Sequence, residues 1–449
     1  MRFSNIEDSK SVKRELGLMI IITALLVGCA TTSPFTLTAT SMVTVVPTVI
    51  RTVVPTATAK PAPTATSTPT LSFPKIDRKP GPAGLDRGSL NRVPAYDPDS
   101  DQIWQVDLRS YDLSGLDLRH SLQDLMYADF DSQTRWPSAT KMPSSFDWQR
   151  ILELGKNPGL GIRQLHAQGI TGYGVGIALI DQPLLVNHQE YAGQLRLYEE
   201  ASDVPQGTKT SMHGPAVASI AVGKTVGVAP GADLYYIAWA YCQNHGGNVT
   251  DFSCLAQNVR RILAINQQLP TARKIRVISL SIGWRPGDKG YDDITAAAQE
   301  AKDAGLLVVY SSVKDVHGFK FDGLGRSPLA DPDNPESYEH RLWEAKQFYE
   351  NPSSPDQLLV PMDSRTVASP GGVDEYVFYR EGGMSWSIPY IAGVYALAAQ
   401  VKPAITPDEF WSLAIQTGQT IPLKRSGKII AFGPIIDPLA LISRLQTQE

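Results

Sequence analysis

Cysteine, histidine and charge are all thin in this sequence. Among 449 residues there are three cysteines, seven histidines and 19 % charged residues, and the formal net charge is -4. Basic residues number 41 and acidic 45, with no long interior run of either sign. That balance excludes nucleic acid as the main partner, because a phosphate backbone demands a basic face. No His-Glu-x-x-His spacing occurs and the histidines are scattered, which argues against metal catalysis.

Long hydrophobic runs are also missing. The apolar stretch from Leu16 to Val27 follows Lys10, Lys13 and Arg14 and is too short to cross a bilayer comfortably as a helix. This is a signal-peptide pattern. It ends Leu26-Val27-Gly28-Cys29, which resembles a bacterial lipobox. The expectation is cleavage before Cys29, acylation of its thiol and tethering to the membrane through two or more chains. An uncleaved membrane anchor is the alternative, and both place the remainder outside the cytoplasm.

Proline is concentrated early. Residues 30–95 are dominated by Thr, Pro and Ala, as in Pro61-Ala62-Pro63-Thr64, and cannot build a core, so they read as a disordered stalk and linker. Residues 96–150 form a small N-terminal extension in which Asp107-Leu108, Asp112-Leu113 and Asp117-Leu118 recur every five residues. A few turns of a pentapeptide-repeat coil, an irregular segment packed on the next domain, and a propeptide all remain open. Cys242 and Cys254 lie close together and read either as a disulfide, worth on the order of 3 kcal/mol, or as two buried thiols.

From 151 to 449 the chain reads as one domain. Short apolar runs alternate with helical patterns, which predicts a three-layer α/β/α fold around a mainly parallel sheet. Strands are expected at 176–180, 234–238, 275–280, 306–310 and 358–360, and helices at 255–267 and 294–304. A further helix is expected from about Ser337 to Tyr349, within a long polar insertion. Parallel sheets carry their chemistry at the carboxyl ends of strands, and Asp181 sits at such an end. Taken alone it is a turn or cap residue.

Two further segments change that. In Met212-His213-Gly214-Pro215-Ala216-Val217-Ala218-Ser219-Ile220 a histidine opens a helix of small residues, and Gly227-Val228-Ala229-Pro230 follows. In Gly382-Gly383-Met384-Ser385-Trp386-Ser387-Ile388-Pro389 a glycine-flanked serine opens an apolar helix, whose N-terminus supplies unpaired N–H groups and a positive dipole end. Pro389 fits the first turn, and Ser387 is the less favoured alternative nucleophile.

Together the three segments resemble the signature blocks of the subtilisin family, and the order Asp, His, Ser is that family's own. The resemblance runs from about Gly169 to Leu445. It implies a serine endopeptidase acting on extended protein segments, with Asp181, His213 and Ser385 as catalytic triad. It also implies that Leu280-Ser281-Ile282-Gly283 pairs with the substrate, with Ser281 and Gly283 as substrate-binding residues. Protein or peptide substrates are the expected partners, and no cofactor is required. Structural calcium is common in the family, but neither a position for it nor an oligomeric state can be read here. Where the family has an oxyanion-binding asparagine, this chain reads Tyr310-Ser311-Ser312-Val313-Lys314, leaving Ser312 or Lys314 as substitutes. Loss of that donor in subtilisin costs roughly 10² to 10³ in turnover. A catalytically weak or inactive peptide-binding relative is therefore the alternative, and a solute-binding lipoprotein is a third reading that leaves the histidine and serine segments unexplained.

Overall fold

The structure is a computed structural model that describes residues 72–100, 102–242, 249–343, 354–425 and 427–447. Cys29 and the stalk up to residue 71 lie outside the described residues.

Six parallel strands form the central sheet. Their spatial order is Lys75–Ile76, Leu195–Glu200, Asp233–Ala238, Gly176–Asp181, Ile275–Leu280 and Leu307–Tyr310. The strands Gly176–Asp181 and Asp233–Ala238 are buried along their full length, the condition of a parallel sheet covered on both faces. Helices Phe252–Gln268 and Tyr291–Asp303 pack on each other in one layer, and helices His213–Val222 and Met384–Val401 in the other. Asp251 caps the first of these by accepting from the Ser253 N–H at 3.1 Å. Among the described residues no helix is long and apolar enough to cross a membrane.

Two smaller sheets complete the molecule. One has the order Tyr338–His340, Lys320–Arg326, Gln357–Pro361, Lys428–Ile435, Gln419–Arg425. The other joins Arg365–Ala368, Tyr376–Tyr379, Ala128–Asp131 and Val106–Asp107.

Two segments differ from the sequence-based expectation, and a third takes up one of the readings left open. Residues read as linker carry the edge strand Lys75–Ile76, fastened by Lys75 to Glu199 at 2.7 Å and by a two-pronged Arg78–Glu200 pair. A proline-rich stretch that cannot bury a core of its own can still add to an open sheet edge. The expected helix from Ser337 is instead a short 3-10 turn, Pro335–Ser337, and the strand Tyr338–His340. Tyr338 and His340 are buried with Glu339 between them, a period of two rather than 3.6. The aspartate-leucine run lies against the main domain: Val106, Leu108, Leu113, Leu118 and Phe130 share a second hydrophobic cluster with Ile151 and Phe378. Cys242 and Cys254 form a disulfide.

Candidate active site

The strand Gly176–Asp181 delivers Asp181 to the carboxyl edge of the sheet, and the His213 helix begins beside it. Gly214 permits that approach. A Cβ there would fall 2.5 Å from the Gln182 carbonyl oxygen and 2.6 Å from the Tyr236 hydroxyl, so a side chain would push the helix off. With the helix seated, Nδ1 of His213 donates to Oδ1 of Asp181 at 2.7 Å, and the same oxygen accepts from the Gln182 N–H at 2.8 Å. Burial pushes the His213 pKa down, but the charge and hydrogen bond of Asp181 outweigh it and hold the imidazole above its ordinary 6.5.

Ser385 arrives on the helix Met384–Val401, which starts one residue earlier than expected, with Gly383 as its cap residue. Ser385 therefore lies inside the first turn, where backbone N–H groups have no helical acceptor. Pro389 falls in the second turn. Lacking an N–H, it leaves the carbonyl of Ser385, four residues before it, without a helical donor. The Ser281 hydroxyl supplies that donor at 3.1 Å, and the Ser385 hydroxyl in turn donates to the Ser281 carbonyl at 3.3 Å. Gly393 seats the same helix on the Gly227–Ala232 turn, since a Cβ there would meet that of Val228 at 2.5 Å.

His213 and Ser385 open onto one cavity of about 250 Å³, with Met212, Gly383 and Trp386 also in its walls. The Trp386 ring lies 5.6 Å from that of His213. The Ser385 hydroxyl faces Ser281 rather than the imidazole.

The remaining sequence expectations fall out as follows. Gly283 lies against Ser311 and Ser312. Ser387 is fully buried, donating weakly to the Pro361 carbonyl at 3.4 Å, and does not border the cavity. Ser312 and Lys314 border a different cleft, with Phe319 and Phe321. His188, seven residues after Asp181, is buried and bonded to the Glu375 carbonyl at 2.9 Å. Among the residues bordering the cavity that motif reading missed are three large apolar ones, Ile103, Trp104 and Trp343. The one signal for them was large apolar side chains in otherwise polar stretches.

The family model that matches the chain is that of the subtilase family, over residues 172–338, a stretch that includes Asp181 and His213 and stops short of Ser385. That stretch is a subtilase-family domain. Among its relatives is an extracellular serine proteinase of Thermus, 22 % identical over 372 residues that make up 80 % of this chain and 84 % of the relative. The subtilisin-like protease PopC of Myxococcus xanthus is 24 % identical over 294 residues, 60 % of each chain. Among solved structures, fervidolysin from Fervidobacterium pennivorans aligns with a TM-score of 0.46 and 19 % identity, over 64 % of this chain and 45 % of that one. As a subtilase the chain is a serine-type endopeptidase.

Proposed function

We propose that this subtilase cleaves extended protein segments with Ser385 as nucleophile, His213 as general base and acid, and Asp181 as the group that orients and stabilises the imidazolium. The observation that carries the reading is the 2.7 Å bond from His213 Nδ1 to Asp181. It fixes the tautomer that leaves Nε2 as acceptor, on a ring that shares its cavity with Ser385. Turning the Ser385 hydroxyl from the Ser281 carbonyl to that nitrogen readies it for attack.

The hydroxyl proton passes to Nε2 as Oγ bonds the scissile carbonyl carbon. The carbon–nitrogen bond then breaks and the same proton goes to the departing amine. Water, deprotonated by His213, releases the acyl group and restores Ser385. The developing oxyanion falls at the start of the Ser385 helix, where the backbone N–H of Ser385 is the available donor. Ser281 and Gly283 bind the substrate backbone. No cofactor enters these steps.

A serine-directed fluorophosphonate tests the reading. Wild type is expected to label stoichiometrically and Ser385→Ala not at all. Absence of label on wild type would end it and leave an inactive peptide-binding relative.

The activity is placed at the outer face of the membrane, supported by the leader and by Cys29 at the end of its lipobox-like sequence. Wild type grown with labelled fatty acid should carry the label and Cys29→Ser should not. Absence of label on wild type would rule out the thioether anchor.

A further inference from the structure

The cavity beside Ser385 has a wall that the catalytic elements do not supply. Ile103 and Trp104 come from the N-terminal extension and Trp343 from the chain just after the strand Tyr338–His340. They are 43, 41 and 47 % exposed, respectively. Large apolar side chains gathered half-open around one small cavity mark a surface meant to be covered.

The polar groups nearby are already committed. Glu381 accepts from the Trp104 N–H at 2.8 Å, and its carbonyl accepts from the Trp104 indole at 3.3 Å. Asp363 accepts from the N–H groups of Leu342 at 2.7 Å and Gly382 at 2.9 Å. Trp104 is thus held by both of its nitrogens, and Met212, Met362 and Trp386 leave the interior mostly apolar. At about 250 Å³ the space falls below the roughly 300–1,000 Å³ of small-molecule sites and suits a single large side chain.

Chemistry decides which side chain. The departing amine receives its proton from His213 and must come within about 2.6–3.2 Å of it. The imidazole borders this cavity, whereas Ser281, bonded to the other side of Ser385, does not. We propose that the cavity takes the side chain of the residue following the cleaved bond and selects a large apolar or aromatic one, with Ile103, Trp104 and Trp343 as the determinants. This rests on Ser385 and His213 being the peptidase pair.

The test uses the full chain and internally quenched peptides that share one acyl half and vary only the residue after the cleaved bond. Wild type should favour Phe or Leu over Ser or Asp by about tenfold or more in kcat/KM, the discrimination an apolar pocket provides. Trp104→Ala should cut that ratio to a few-fold, and Trp343→Glu should raise the relative rate for Lys and Arg. A wild type that labels with fluorophosphonate and cleaves with no preference at this position would overturn the subsite alone. Equal acceleration of every peptide by Trp104→Ala would also overturn it, by making the tryptophan an obstruction. Failure of wild type both to label and to cleave would instead remove the peptidase reading.

Discussion

In the proposed triad, Asp181 sets the pH range in which His213 can act. Burial by itself favours the neutral ring, and the carboxylate reverses that, so the imidazole titrates above 6.5. Only the neutral ring accepts the serine proton. Activity therefore rises with pH through an apparent pKa above 6.5 and is lost as pH falls below it. Asp181→Asn removes the charge and leaves burial unopposed, so the acid limb of the kcat/KM profile should move to lower pH. Turnover at pH 8 should fall by about 10⁴, as when a triad histidine loses its fixed tautomer. A profile with its acid limb unmoved would show that Asp181 does not face the imidazole during catalysis. That Asp181, His213 and Ser385 would come together at one sheet edge was legible from the three signature-like segments, and Gly214 and Gly393 show the close packing that the small residues of two of them serve. The partner of the Ser385 hydroxyl was not legible: it follows from where Pro389 falls in the helix and from a strand end 104 residues away.

At the scale of elements, the central strands could be read from their apolar runs, and Ile275–Leu280 matches residue for residue. The edge strand Lys75–Ile76 could not, because pairing there depends on what remote chain arrives. Leu307–Tyr310 is the opposite edge, read to within one residue, and a histidine closes part of it. His317, on the short helix Lys314–His317, accepts from the Val308 N–H at 3.2 Å through Nε2, while its buried Nδ1 has no hydrogen-bond partner among the described residues. Burial, then the nearby Lys302 cation, push its pKa down to about 4, with Asp408 opposing. The depressed value means that the unfolded chain takes up a proton first. Stability conferred by the neutral ring is complete above about 6.5 and drains as pH falls towards 4, by about 3 kcal/mol at most. His317→Gln keeps an acceptor that does not titrate. Urea unfolding at pH 7 and pH 4.5 should show a smaller loss of stability in the variant than in wild type, and equal losses would remove His317 from the acid sensitivity.

Across the whole molecule, the described chain from Ser72 onward is one compact unit, and its N-terminal extension is built into the main domain. The strand Ala128–Asp131 pairs with Tyr376–Tyr379, the strand that leads into Gly382 and Ser385. The Asp129 carboxylate accepts from the Arg380 N–H at 2.6 Å, and Trp104 is bonded to Glu381. Sequence alone left this segment as a repeat, an irregular extension or a propeptide, because a run of Asp-Leu pairs does not say which apolar surface it will cover. The packing favours a permanent part of the enzyme. Removing residues 72–137 would uncover Ile151 and Phe378, now at most 1 % exposed. At roughly 1.5–3 kcal/mol each, that loss is a large share of a net stability of about 5–15 kcal/mol. It would also free the peptide that positions Ser385. A chain starting at Ser138 should therefore unfold at markedly lower urea than the longer chain and lose most of its fluorophosphonate labelling. The intact mass of labelled wild type should still include residues 72–137. A labelled species that has shed them, with undiminished activity, would identify the extension as a propeptide and would remove Ile103 and Trp104 from the working cleft.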